Sequence, residues 1–88
     1  MKYNYKEEKA NPEYALILQV LKAQKKKQKL RFIDIADAMQ PKTSSFAVMK
    51  WFGGQRTMLL PTILQVCKIL DLSKEELFEN VEKLKIIN

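Results

Sequence analysis

Apolar residues recur along this chain at three- and four-residue steps, the spacing of helices that each bury one face. The first helix is expected to open with Asn11 as N-cap, Pro12 in the first helical position and Glu13 near the positive end of the helix dipole. Tyr14, Ile17, Leu18 and Leu21 form its stripe, Leu16 and Val20 form a second one, and it runs out into Lys25-Lys26-Lys27. Phe32, Ile35, Ala36 and Met39 repeat the step in a second helix that Pro41 ends. Thr43-Ser44-Ser45 supplies capping hydroxyls for a third, with Ala47, Val48, Trp51 and Phe52 inward and Gly53-Gly54 suited to its left-handed terminus. Pro61 starts a fourth, whose stripe is Ile63, Val66, Cys67 and Leu70. Ser73-Lys74-Glu75-Glu76 reads as a capping box with Leu72 and Leu77 as its hydrophobic staple, opening a short closing helix. The pattern predicts an all-α, compact five-helix bundle over residues 11–79, preceded by an arm, 1–10, and followed by a tail, 80–88.

Length and composition narrow what such a bundle can do. A chain of 88 residues has room for one core. With no His and a single Cys, Cys67, a disulfide framework, a Cys/His zinc site, a Ser-His triad and a Cys-His dyad are all excluded within the chain. No apolar run approaches the length of a membrane span, and one thiol without an export signal leads to the expectation of a cytoplasmic protein. Asp34 and Asp37 lie one helical turn apart, but such acids on a surface helix are ordinarily solvated, so no enzyme activity and no cofactor are expected.

Charge sharpens the picture once it is divided by position. The net charge of +6 resolves into a neutral segment 1–21, ten Lys and Arg against only Asp34 and Asp37 over 22–70, and an acidic segment 71–88. Between Asp37 and Asp71 there is no carboxylate, so the middle of the chain is the basic part.

That basic part contains two short helices joined by a tight connection, a helix-turn-helix pattern over about residues 31–53. Here the sequence resembles the Cro/repressor-type (XRE-like, lambda-repressor-like) helix-turn-helix DNA-binding family. The resemblance rests on Ile35-Ala36, Val48, Trp51 and Gly54-Gln55-Arg56, then Pro61, Ile63, Leu64, Cys67, Leu70 and the Asp71 to Phe78 ending. Two departures stand out. The stretch from Ala36 to Trp51 is two residues longer than the family usually has, the excess falling in Gln40-Pro41-Lys42-Thr43, where the usual Gly is absent. Arg31 and Phe32 occupy the places of a capping hydroxyl and a phosphate-bracing Gln; Arg31 can still hold a phosphate, Phe32 cannot.

The resemblance implies a sequence-preferring, double-stranded DNA-binding regulator of the small-repressor type, with helix three in the major groove. It implies base contacts from Ser44, Ser45, Phe46, Met49 and Lys50, and phosphate contacts from Arg31, Lys42, Gln55, Arg56, Thr57 and Thr62. Lys25, Lys26, Lys27 and Lys29 would reach flanking backbone, unless the lysine run is simply a solvated face. The base-facing set lacks the Asn, Gln and Arg that read purines through two bonds, so modest direct readout leaning toward A·T steps is expected. The alternative function is a protein-interaction module on the same fold, such as an antitoxin-like partner-binding protein.

Several residues carry two readings. Phe46 is either an exposed reader or a plug for the lengthened turn, and the plug is the slightly preferred expectation. Ser44 and Ser45 serve the groove or merely cap helix three, whereas Trp51 and Cys67 read as core. The tail, with Val81, Leu84, Ile86 and Ile87, is either a homodimer contact or a segment folded back over Leu16 and Val20.

Overall fold

Each expected stripe is realised as a buried helical face in the computed structural model, which describes residues 12–87. Five α-helices are formed there, α1 Pro12–Gln28, α2 Phe32–Ala38, α3 Ser45–Phe52, α4 Leu60–Ile69 and α5 Lys74–Ile87, with no strand among the described residues. The expected arm 1–10 and the Asn11 cap lie outside the described residues. None of these helices is long and apolar enough to cross a membrane.

One core holds the five together, and α1 is its most heavily used element. Leu16, Leu18, Val20 and Leu21 are all buried, so this helix is covered on more than one side. Leu18 faces the end of α3, where its side chain lies near Gly54, while Val20 lines a groove with Leu84 of α5. The Tyr14 hydroxyl accepts a hydrogen bond from the Met58 amide at 3.0 Å and so pins the α3–α4 loop to α1. Gln24 donates to the Leu70 carbonyl at 2.9 Å and ties α1 to the end of α4. Gly54 closes α3 with φ +77°, a left-handed conformation that L side chains rarely adopt.

The α2–α3 pair is built on Ile35, Ala36 and Val48, none of which is exposed to solvent. Phe32 and Phe52 pack with ring centroids 5.8 Å apart and planes tilted by 60°. The α2–α3 connection is closed from inside by buried Met39 and by a hydrogen bond from the Thr43 amide to the Ala36 carbonyl. It is braced from α4 by Gln65, whose side-chain carbonyl accepts the Gln40 amide and whose amide donates to the Gln40 carbonyl. The Gln40–Pro41 peptide bond is cis.

The closing helix departs from expectation. Its capping box forms as read, with the Glu76 amide donating to Ser73 Oγ at 3.0 Å. The helix then continues without a break through the segment expected to be a tail. Val81, one turn past Leu77, is only 5% exposed, and Leu84 packs on the core. The physical cause is the uncovered second stripe of α1: Leu77, Val81 and Leu84 extend the apolar period and bury against it. A tail-mediated dimer contact therefore loses Val81 and Leu84, leaving Ile86 exposed at its end. The two exposed pairs of Lys85, with Glu13 at 2.7 Å and Glu82 at 3.1 Å, fix the end of α5 beside the start of α1.

Two substitutions test these points by chemical denaturation. Val81→Ala is expected to cost about 2 kcal/mol, from two lost methyl groups and the space they leave. Gly54→Ala is expected to cost about 1–2 kcal/mol from its φ alone, since the added methyl meets nothing closer than Leu18 at 3.8 Å.

Candidate nucleic-acid interface

The outer face of α3 follows from its inner one. With Ala47, Val48 and Phe52 buried, the same helical period turns Phe46, Met49 and Lys50 outward as an i, i+3, i+4 cluster. Phe46 is 59% exposed and Met49 44%. This corrects the expectation that Phe46 plugs the lengthened turn, because Met39 and Gln65 already fill and brace it. The Lys50 ammonium stands over the Phe46 ring, 4.7 Å from its centroid, which orients the charge by the ring's quadrupole. Ser44 is the N-cap of α3, its hydroxyl accepting the Ala47 amide at 3.1 Å, so capping is its structural duty; Ser45 beside it is half-buried.

The lysine run of α1 divides between two faces. Lys25 and Lys26, with Lys22, line a shallow groove together with Phe32, Met49, Phe52 and Gly53, on the flank of α3. The Lys25 ammonium sits 4.2 Å from the centroid of the Phe32 ring, so Phe32, unable to bond a phosphate, instead holds a cation in place. Lys27 lines the separate groove between α1 and α5 and does not join this face. Lys29 is exposed in the α1–α2 turn with φ 58°. Lys22 was missed from sequence; its signal is its i, i+3, i+4 spacing to Lys25 and Lys26.

After α3 the chain folds back onto the helix terminus. The amides of Gln55 and Arg56 both donate to the Lys50 carbonyl, at 3.0 and 3.3 Å, while their side chains are exposed. Thr57 and Thr62 are half-buried, and Lys42 is exposed in the α2–α3 turn. The start of α4 carries no side-chain cap and no acidic residue in its first turn, which leaves its positive dipole end unopposed.

Arg31 is paired within its own helix. It is the N-cap of α2, and its backbone amide donates to Asp34 Oδ2 at 2.8 Å. Its guanidinium donates to the same carboxylate through Nε at 3.1 Å and Nη2 at 3.0 Å. Hydrogen bonds from the Arg31 guanidinium and then its backbone amide hold the Asp34 carboxyl below the usual range, and Asp34 in turn raises Arg31. Much of the donor capacity counted toward a phosphate is thus committed within α2. Cys67 is buried, and burial pushes its thiol pKa up, as suits a packing residue.

No family model, curated protein or solved structure matches the chain.

A depressed carboxyl contributes stability above its unfolded pKa and loses that contribution as pH falls through the lower, folded one. The difference in urea midpoint between the wild type and Asp34→Asn is therefore expected to be full near pH 6 and to shrink toward zero as the medium is taken well below about pH 4. A difference unchanged across that range contradicts the pairing.

Proposed function

We propose that the chain is a sequence-preferring, double-stranded DNA-binding transcriptional regulator of the small-repressor type, with α3 entering the major groove. One observation carries the reading: α3 offers an exposed face beside Lys22, Lys25 and Lys26, and the loop that folds back onto its end exposes Gln55 and Arg56. The chain is free of carboxylates from Asp37 to Asp71, so nothing on α3, the loop after it or α4 repels a polyanion. The helical order and the motif from Ile35 to Phe78 support it through the resemblance to the Cro/repressor-type family. In this reading Ser45, Phe46, Met49 and Lys50 meet base edges. Lys42, Gln55, Arg56, Thr57 and Thr62, with the α4 amides, meet phosphates, and Arg31 contributes less because Asp34 offsets it. Two copies reading an inverted repeat one helical turn apart fit the same mechanism.

A second reading has its own observation. Leu59 and Leu60 are 73% and 62% exposed at the start of α4, with Leu64 one turn on, a surface suited to a protein partner. That favours a partner-binding module on the same fold.

Titration of duplex DNA at several salt concentrations separates the two. Neutralising about five phosphates per subunit gives a slope of log K against log salt near −4 to −5, and Arg56→Ala is expected to reduce it by about 1. Lys50→Ala is expected to relax site preference as well as affinity. A slope near zero rejects the phosphate contacts, and no duplex binding at low salt favours the partner-binding reading.

A further inference from the structure

The chemistry of the α3 face narrows what it can recognise, granted the DNA-binding reading above. From Ser44 to Phe52 there is no Asn, Gln, Arg, Asp or Glu, so Lys50, suited to guanine, is the one side chain of the helix able to bond a base edge at two points. Ser44 accepts the Ala47 amide as the helix cap, and its hydroxyl, like that of Ser45, reads bases ambiguously. Beside the short hydroxyls of Ser44 and Ser45, the large outward groups are two apolar ones, Phe46 and Met49, and one ammonium, Lys50, resting on the Phe46 ring. Phe46 and Met49 both stay outside the buried core, and Met49 lies in the groove edged by Lys22, Lys25 and Lys26. An apolar centre beside cations suits a polyanion that carries apolar groups on its surface. In the major groove the one such group is the C5-methyl of a pyrimidine, carried by thymine.

We infer that α3 reads thymine C5-methyl groups through Phe46 and Met49. Lys50, oriented by the ring beneath it, supplies a contact to a neighbouring acceptor, O4 of thymine or O6 or N7 of guanine. Specificity then lies in where methyl groups stand along the groove, with Lys50 adding one polar contact beside them.

Uracil differs from thymine by that methyl alone, which makes the test direct. Duplexes bound by the full chain are selected from a random pool, and each thymine of a selected site is replaced singly by deoxyuridine, with dissociation constants measured at one salt concentration. At one or two positions per half-site the replacement is expected to weaken binding about fourfold, the loss of one buried methyl. Phe46→Ala or Met49→Ala is expected to abolish the thymine–uracil difference at its own position while leaving the other intact. Salt-dependent duplex binding with equal affinity for thymine and uracil everywhere overturns the inference, as does full discrimination retained by both variants. Failure of every duplex to bind in a salt-dependent way rejects the DNA-binding reading itself. The uracil series needs no protein variant, so its outcome is independent of any effect of substitution on folding.

Discussion

The structure depends on α1 being buried on two sides at once. Leu18 and Leu21 serve the side that meets α3 and its loop, and Val20 serves the side covered by α5. A fully buried leucine contributes about 1.5–3 kcal/mol, so a helix with this many buried positions anchors the others. Once those faces are taken, the polar positions near its end have limited directions left. Lys22, Lys25 and Lys26 emerge beside α3, and Lys27, one residue on, emerges beside α5. The cationic flank of the candidate interface is thus set by core packing in a different helix.

Helices α2 and α3, of 7 and 8 residues, are too short to persist alone and owe their form to that same core. Local bonds set their ends: Asp34 on the Arg31 amide, and Ser44 on the Ala47 amide. Packing of Ile35, Ala36, Val48 and Phe52 sets their relative position. The connection between them is tied down, because Gln65 reaches from α4 to hold Gln40 by both its backbone groups. The outer face of α3 is therefore positioned by residues other than its own, and Phe46 and Met49 stay outside the buried core.

What the sequence made legible was whatever is encoded within one or two turns. The stripe Ile63, Val66, Cys67 and Leu70 is buried as its spacing implies, and the caps at Ser44 and Ser73 form as their residue types imply. Periodicity shows that a face is buried and is silent on what covers it. For that reason the pattern leaves Val81 and Leu84 open between a dimer contact and a fold-back over α1, although they continue the stripe of Leu77. The Gln65 brace joins residues 25 apart and left no local sign, so the turn seemed to need Phe46 as its filling. The lysine run was ambiguous for a related reason: three consecutive helical residues point about 100° apart, so one run cannot serve one face.

Charge and apolar surface, which pull toward different partners when counted separately, are reconciled by their placement. The net +6 admits any polyanion, and exposed Phe46 and Met49 alone admit any apolar partner. Here the two are interleaved at contact distance, with Lys50 on Phe46 and Lys25 on Phe32, and with Met49 in the groove that Lys25 lines. A cation held on a ring keeps its charge outward while its stem covers apolar surface. A purely apolar partner would have to desolvate those ammonium groups without pairing them, which is costly. Duplex DNA in the proposed reading meets both demands in the same groove, phosphates at the rims for the lysines and methyl groups on the floor for Phe46 and Met49.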